Sequence, residues 1–337
     1  MGISDGTVVG ATKIRDVGVE SLNWNLVIVS EGFDSNEQGD FGAKADEFVA
    51  ELLSWAPFDD LSAEINVFKL DVIADESGAD NPLTCPDTTL PFGAVATSAR
   101  TYFDAAFCEP PPEGQDLRRL LTVDTGLVET TVNDYVAEWD AILVIVNHGE
   151  YGGSGPAGMA VTSTGTPWTV PIHELGHGAF DLGDEYCDLA GNHTDPEPSE
   201  KNLTKNTDRA TLKWASLVDP ATPIPTTQNA TCSQCDTQSS PVAAGTVGLF
   251  EGGDRMACDI YRPEFDCMMR TNGTSFCAVC IDAIAGRINY DIIFGDCFVA
   301  TAVYSDRSHP DVETLRRWRD RHLQQGAAAA RPMRTLA

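Results

Sequence analysis

The sequence predicts an α/β domain, and three observations support this fold class. Short β-branched apolar runs at 24–30, 65–72 and 141–146 are typical of buried strands. Between the first two runs, residues 40–55 carry apolar side chains at helical spacing. A further helical segment, beginning near residue 171, follows the last run and carries two histidines. Strands separated by helices, and then a helix with a polar site, indicate an α/β architecture.

The first half of the chain contains two of these strands and one helix. The strand at 24–30 precedes the helix at 40–55, which Pro57 closes because proline cannot continue a helix. After the strand at 65–72, a loop rich in Asp, Gly and Pro continues to about residue 112. We therefore expect a long surface connection before the second half of the sheet.

The second half begins with a short predicted helix at 127–135. The run at 141–146 is the most apolar in the chain, so we interpret it as the central strand of the sheet. Residues 159–163 form a predicted edge strand. The next helix begins near Pro171, since proline is favoured in the first helical turn.

Composition divides the remainder of the chain. From 188 to 246 the chain is rich in Asn, Thr, Pro and Ser with little periodicity, which indicates a long irregular insertion and not a separate domain. We therefore place one domain at 1–290, with the insertion inside it. A C-terminal motif and an Arg-rich helix are predicted at 295–325, and a disordered Ala-rich tail at 326–337.

The charge balance excludes two classes of partner. The 337 residues include 22 Lys and Arg against 51 Asp and Glu, which gives a formal net charge of −29. A field of that sign repels nucleic acids and anionic membranes. No apolar stretch approaches the roughly 18 to 20 residues needed to span a bilayer, so we predict no membrane insertion.

Cysteine usage bears on the compartment. Ten cysteines favour an oxidising environment with disulfides, although no signal peptide is visible at the N-terminus. The pairs Cys232/Cys235 and Cys277/Cys280 have Cys-x-x-Cys spacing, which in a cytosolic chain would indicate a structural zinc. In a secreted chain the same pairs indicate disulfides. We predict a secreted or cell-surface protein with disulfides.

The pattern that carries chemistry is His173-Glu-Leu-Gly-His177. Residues four apart lie on one helix face, so His173 and His177 can present imidazole nitrogens to a single metal ion. Glu174 lies beside that face, where it can contact a water bound to the ion. Zinc lowers the pKa of such a water to about 7, and a carboxylate can accept its proton and pass it to a leaving amine. An ordinary solvated helix face is the alternative.

A catalytic zinc needs a third protein ligand and an open position. Glycine in a helix costs roughly 1 kcal/mol relative to alanine, so Gly176 and Gly183 indicate that the helix ends and the chain turns back. This turn would bring Asp184 or Glu185 toward the two histidines. We predict Asp184 as the third ligand, with Glu185 as its rival.

The segment from His173 to Tyr186 resembles the active-site signature of the bacterial IgA-peptidase-type metallopeptidases. Further stretches that resemble this family follow the same order, at 23–28, 76–82, 146–155, 261–263, 267–269 and 276–280. The resemblance spans about 24–288. It implies a zincin-type, metzincin-like catalytic domain with a mixed sheet and an active-site helix. It also implies a zinc endopeptidase that uses one catalytic zinc ion on protein or peptide substrates.

Three further residues are candidates for roles at such a site. Metzincins have a methionine turn beneath the metal, which Met268 or Met269 would supply here, and two ordinary core methionines are the alternative. Gly183 stands where many metzincins have a third histidine, so the sequence departs from that pattern and the third ligand stays open. Tyr261 could donate a hydrogen bond to the oxyanion of peptide hydrolysis, with a structural tyrosine as the alternative.

A second function class competes with catalysis. The same zincin fold could serve a catalytically inactive binding or adhesion protein, and the stretch from Cys297 resembles a short motif appended to bacterial surface and secreted proteins. The intact His173, Glu174 and His177 argue for an enzyme, since a purely binding protein has no need of a general base.

Overall fold

The computed structural model describes residues 2–91, 94–110, 115–236 and 239–294. Residue contacts divide the chain into two units, Met1–Ile288 and Asn289–Ala337. The C-terminal motif, Arg-rich helix and tail predicted at 295–337 lie outside the described residues.

The strands and helices of the described residues follow one another along the chain with long connections after the third and seventh strands. In order they are β1 (Gly6–Arg15), β2 (Trp24–Glu31), α1 (Gln38–Leu52), β3 (Ile65–Ala74), α2 (Thr125–Tyr135), β4 (Ala141–Val146), β5 (Gly153–Ser154), β6 (Met159–Ser163), α3 (Thr169–Phe180), β7 (Cys187–Asn192), β8 (Phe250–Gly253), β9 (Arg255–Arg262) and α4 (Ala278–Phe294). Short 3₁₀ turns occur at Glu20–Leu22, Ser62–Glu64 and Ala215–Leu217.

The main sheet has six strands in the order β1-β3-β2-β4-β6-β5. Its four inner strands are parallel, and the two outer strands, β1 and β5, run antiparallel to their neighbours. The sheet is therefore mixed, and the α/β class predicted from the sequence is confirmed. Strands β2 and β4 occupy the middle, which also confirms the central position predicted for 141–146.

The two outer strands are the part of this sheet that the sequence did not predict. Strand β1 carries apolar residues on both faces, with Val9 61% exposed, so it lacks the alternation that identifies a half-buried strand. At the opposite edge the prediction for 159–163 is corrected, because the two-residue strand β5 pairs outside β6. The glycine-rich chain before β6 folds back upon it and forms this short outer strand.

Burial explains why these segments form the core. Every residue of β2 and β4 is buried, as expected for parallel strands covered on both faces. Helix α1 packs against β3 and buries residues spaced three and four apart: Phe41, Ala45, Phe48 and Leu52. Helix α3 lies on β4, β5 and β6. Its last residue, Phe180, stacks on Trp24 at a centroid distance of 5.6 Å, which fixes the end of α3 relative to the sheet.

A second sheet follows α3 in the chain. Its three strands have the order β7-β9-β8, with β7 parallel and β8 antiparallel to β9. The irregular stretch predicted at 188–246 contains the residues of β7 after Cys187 and one 3₁₀ turn among its described residues. Two disulfides, Cys187–Cys235 and Cys232–Cys258, join it to β7 and β9, and a third, Cys85–Cys108, closes the long loop after β3.

Among the described residues, no helix is both long and apolar enough to cross a lipid bilayer.

Candidate metal centre and active site

Helix α3 presents the two histidines of the motif on one face. Its apolar residues are buried against the sheet, including Ile172 and Leu175, which are fully buried. This packing fixes the rotation of the helix about its axis. His173 is buried, with 8% of its surface exposed, and His177 lies one turn further along the same face.

The chain turns sharply where α3 ends. Asp181 adopts a left-handed conformation with φ 53° and ψ 42°, and the backbone N–H of Leu182 donates to the carbonyl of Gly176 at 3.0 Å. The predicted turn is present, but its left-handed residue is Asp181 and not Gly183. Gly183 has a packing role instead, since a Cβ built there would lie 2.3 Å from Leu203 Cδ1.

The turn brings Asp184 to the two histidines. His177 Nε2 lies 3.1 Å from His173 Nε2 and 3.1 Å from Asp184 Oδ1, and His173 Nε2 lies 3.2 Å from the same carboxylate oxygen. The three ligand atoms form a nearly equilateral triangle. Ligand atoms about 2.0–2.1 Å from one tetrahedral zinc ion lie roughly 3.4 Å apart, so the triangle has the size of one face of such a site.

Hydrogen bonds at the far side of each ring orient both imidazoles. His173 Nδ1 lies 3.0 Å from the carbonyl oxygen of Met268, and His177 Nδ1 lies 2.7 Å from that of Leu182. A carbonyl only accepts, so each Nδ1 carries the hydrogen and each Nε2 presents its lone pair in the neutral ring. Two imidazole lone pairs and a carboxylate oxygen therefore converge on one point, where a cation satisfies all three.

The electrostatics of the triangle also favour a positive charge. Burial opposes the charge of Asp184, but hydrogen bonds with His173 and His177 outweigh it and hold the pKa of this carboxyl below its usual range. Burial would lower the pKa of His177, yet Asp184 and Glu174 raise it to about 9. The raised pKa of His177 shows that the surrounding carboxylates favour a positive charge at this point. A divalent cation can take the place of the proton, because it binds the same lone pairs.

Glu174 faces the same space. Burial raises the pKa of its carboxyl above the usual value, while the nearby His173 and His177 lower it. It lies beside an open cavity of about 380 Å³, whose lining also includes His173, His177 and Asp184. Glu174 is thus a half-buried carboxyl with a raised pKa beside two imidazoles and a second carboxylate, an environment typical of functional sites.

The glycine-rich segment before β6 forms one wall of the cavity. A Cβ built on Gly155 would lie 2.9 Å from Glu174 Oε2 and 2.7 Å from its backbone oxygen. A Cβ on Gly153 would lie 3.0 Å from the carbonyl oxygen of Val161. The absence of side chains at these positions lets the loop backbone lie directly against β6 at Gly153 and against α3 at Gly155.

The chain matches the model of a known protein family. The model of the family described as IgA Peptidase M64 matches residues 12–239 and 234–288, which is most of the chain. The chain belongs to the IgA peptidase M64 family. Members of this family are metallopeptidases that act on proteins, and the resemblance noted in the sequence is confirmed. A comparison with curated proteins found no significant match.

Within this M64 chain the two methionines after Cys267 have different positions. The Met268 carbonyl accepts the hydrogen bond from His173, whereas the Met269 side chain packs against α3. A Cβ built on Gly176 would lie 2.5 Å from Met269 Sδ, so this glycine makes room for the thioether. Both methionines are fully buried, one hydrogen-bonded to His173 through its carbonyl and the other packed on Gly176 of α3.

The structure separates the two carboxylates that were rivals for the third ligand position. Asp184 completes the triangle with the histidines. Glu185 is fully buried and points the other way, where its Oε1 accepts from Asn202 Nδ2 at 2.9 Å and lies 3.3 Å from Cys280 Sγ. Burial also raises the pKa of Glu185 well above the usual range. The geometry gives Glu185 no place beside the two histidines.

Tyr261 also lies away from the site. It is in β9, where burial and the nearby Glu251 and Asp259 carboxylates raise the pKa of its phenol. It is not one of the described residues that line the cavity, so the geometry gives no support to a role for it in stabilising an oxyanion.

Tyr186 and Arg119 are among the cavity residues that were not identified as site residues from the sequence. Burial raises the pKa of the Tyr186 phenol, and the neighbouring Asp184 carboxylate raises it further. Arg119, far away in the sequence, lines the same cavity. Tyr186 could have been identified because it lies only two residues after Asp184, the candidate third ligand. Arg119 could not, because it lies in a loop that carries no recognisable motif.

The cysteine pairs differ from the expected arrangement. Cys232 and Cys235 are in disulfides, but each pairs with a cysteine of the small sheet and not with the other. Cys277 and Cys280 form no disulfide and are buried together with Cys267. The disulfide interpretation therefore holds for the first pair and is corrected for the second.

Proposed function

We propose that this M64 chain is a secreted zinc endopeptidase, with zinc held by His173, His177 and Asp184 and with Glu174 as the general base. The observation that carries the proposal is the triangle of Nε2, Nε2 and Oδ1 atoms, 3.1–3.2 Å apart, with both Nδ1 atoms hydrogen-bonded to carbonyls. Imidazole and carboxylate ligands suit zinc, and three protein ligands leave one position open for catalysis.

The site also fits the chemistry of peptide hydrolysis. Bound zinc would supply a Lewis acid that polarises the scissile carbonyl and makes water more acidic. Glu174 would accept a proton from the attacking water and deliver it to the leaving amine nitrogen. Its burial beside the cavity supports this, because a raised carboxyl pKa brings proton acceptance and proton release closer in energy at neutral pH.

The walls of the site would hold the substrate. The Gly153–Ser154 strand lies at the outer edge of the main sheet beside Glu174, and an extended peptide could lie along this wall. Arg119 and Tyr186 place a cation and a hydroxyl donor at the cavity, where each could stabilise negative charge on the substrate. The open cavity next to an antiparallel edge strand and the active-site helix supports a zincin-type, metzincin-like arrangement. Three disulfides support a secreted or cell-surface location.

The test is cleavage of a quenched fluorescent, unfolded protein substrate by wild type and Glu174→Ala, with zinc content measured in both. We expect wild type to cleave and Glu174→Ala to lose at least about a hundredfold in kcat/KM while it retains zinc. Glu129→Ala, an exposed glutamate on α2, is the matched control and should cleave like wild type.

The outcomes separate the function classes. Equal cleavage by wild type and Glu174→Ala would show that Glu174 is not the base. A wild type that binds zinc but cleaves no substrate would favour the binding or adhesion class. Loss of zinc from Glu174→Ala would mean that this carboxylate is a ligand and not a base.

A further inference from the structure

A second group of metal-ligating side chains lies outside the active site. The sulfur atoms of Cys267, Cys277 and Cys280 and a carboxylate oxygen of Glu185 lie within 4.8 Å of one another. Their residues are all buried, with Cys267, Cys280 and Glu185 fully so. These cysteines form no disulfide, unlike the six cysteines of the three disulfides.

The spacing of the ligand atoms matches one tetrahedral ion. Sulfur atoms that lie 2.3 Å from a shared zinc are about 3.8 Å apart at tetrahedral angles, and sulfur and oxygen ligands are about 3.5 Å apart. Here the Cys267 and Cys280 sulfurs are 3.7 Å apart. The Glu185 oxygen lies 3.3 Å from Cys280 Sγ and 3.8 Å from Cys277 Sγ.

Backbone N–H groups donate to two of the sulfurs, which favours the thiolate form of each. The backbone N–H of Cys277 donates to Cys267 Sγ at 3.2 Å, and that of Cys280 donates to Cys277 Sγ at 3.4 Å. Asn202 donates to Glu185 Oε1, while Glu185 Oε2 is buried without a hydrogen-bond partner among the described residues. Oε1 is thus the oxygen beside the cysteine sulfurs, and a buried carboxylate whose second oxygen has no donor calls for a cation.

We propose that Cys267, Cys277, Cys280 and Glu185 bind a second zinc ion with a structural role. Four protein ligands close the coordination sphere, which distinguishes this ion from a catalytic one. Thiolate sulfurs favour zinc over magnesium or calcium, and each thiol loses its proton on binding. The proposal goes beyond the peptidase function and does not depend on it.

This ion would tie together the two segments that build the catalytic triangle. Glu185 directly follows Asp184, and its backbone N–H donates to the Met269 carbonyl at 2.8 Å. Cys267 directly precedes Met268, whose carbonyl oxygen orients His173. The second zinc would therefore fix the position of the third catalytic ligand relative to the carbonyl that holds the first.

The first experiment counts metal and identifies thiolate ligands in the full disulfide-bonded chain. We expect wild type to contain about two equivalents of zinc and His173→Ala/His177→Ala about one. After replacement of zinc by Co²⁺, both proteins should show the near-ultraviolet charge-transfer absorption of cobalt–thiolate bonds, because the active site contains no sulfur ligand.

The second experiment needs no variant. The tryptic peptide 271–287 contains Cys277 and Cys280. Both should resist alkylation in the native protein and react as free thiols after denaturation with a chelator and without reductant. A Cys277–Cys280 disulfide in this peptide, or no cobalt–thiolate absorption in wild type, would overturn the proposal.

Variants separate this site from the catalytic one. Cys277→Ser should lose the thiolate-bound equivalent, whereas Cys85→Ser/Cys108→Ser, a matched change of two distant cysteines, should retain both ions. Glu185→Gln should weaken binding at both sites by about 10–100-fold, since it disturbs the support of Asp184. If wild type contains one equivalent of zinc and His173→Ala/His177→Ala contains none, only the proposed second zinc site is refuted. If wild type and His173→Ala/His177→Ala both contain two equivalents of zinc and both show cobalt–thiolate absorption, only the proposed catalytic zinc ligands are refuted.

Discussion

Single residues in the core of this protein carry charges that are balanced by specific contacts. Glu31, at the end of β2, is fully buried, and its carboxylate accepts from the backbone N–H groups of Phe103 and Ala105, each at 3.1 Å. Burial nevertheless raises its pKa from 4.5 to about 7. The hydrogen bonds offset only part of the free-energy cost of burying the ionised carboxylate. The unfolding free energy therefore depends on the protonation of Glu31 and hence on pH.

The sign of that dependence follows from the raised pKa. The contribution of Glu31 to stability is present below about pH 4.5 and is lost as the pH rises through about 7, because the folded state then must ionise a buried carboxyl. Glu31→Gln removes this ionisation. We expect it to gain up to about 3 kcal/mol of unfolding free energy relative to wild type between pH 5 and pH 8.

Urea unfolding across this pH range measures the difference between wild type and Glu31→Gln. The exposed Glu129→Gln is the control and should track wild type at every pH. A difference between wild type and Glu31→Gln that stays constant from pH 5 to pH 8 would show that Glu31 is not the titrating group.

Gly155 is a residue at which one methyl group should affect catalysis. In Gly155→Ala the new Cβ would lie 2.9 Å from Glu174 Oε2 and 3.1 Å from His177 Cβ, so the carboxylate must shift. We expect kcat/KM to fall by about tenfold or more with zinc content unchanged. Gly149→Ala, in the same segment and with no atom within 4 Å of its Cβ, should behave like wild type. Full activity in Gly155→Ala would contradict the close approach.

At the scale of elements, helix α3 is positioned by close backbone contacts. A Cβ on Gly178 would lie 2.1 Å from the backbone oxygen of Met159, whereas one on Gly176 would meet the flexible end of Met269. The first contact holds α3 against the start of β6, and the second places the thioether behind the triangle. Both glycines lower the intrinsic stability of the helix, and the close packing that they permit compensates for this loss.

These two glycines should therefore respond differently to alanine. Gly178→Ala would press a methyl group into backbone, and we expect it to cost about 3 kcal/mol. Gly176→Ala should cost about 1 kcal/mol or less, because Met269 can rotate and alanine favours the helix by about 1 kcal/mol. Gly286→Ala in α4, where the added Cβ has no neighbour within 4 Å, should be neutral or stabilising. Urea unfolding measures all three, and equal costs at positions 176 and 178 would contradict this account.

At the scale of the whole molecule, covalent links join segments that share little regular structure. Cys232–Cys258 connects the irregular stretch to β9 across 26 residues of sequence, and Cys187–Cys235 connects it to β7. The same small sheet is next to Asp184 in the chain. Disulfides thus support the part of the molecule that follows Asp184, the proposed third ligand.

Removal of one link should destabilise this part of the molecule measurably. Closing a loop of this length reduces the entropy of the unfolded chain, so Cys232→Ser/Cys258→Ser should cost about 3 kcal/mol of unfolding free energy. Limited proteolysis should then begin within 188–246. Cys85→Ser/Cys108→Ser is the matched control, with a loop of similar length, 23 residues. It should cost a similar free energy but leave the pattern of cleavage in 188–246 unchanged. An unchanged midpoint in Cys232→Ser/Cys258→Ser would contradict a stabilising role.

The sequence alone determined the central sheet strands, the helices α1 to α3 and the His173–His177 pair, because each depends on a local period or spacing. It could not predict β1, the small sheet or α4, whose stability depends on long-range pairing and packing. Only the tertiary structure distinguished Asp184 from Glu185. Adjacent residues in an extended segment point to opposite sides, so one carboxylate faces the histidines and the other faces three cysteines brought from 80–95 residues away.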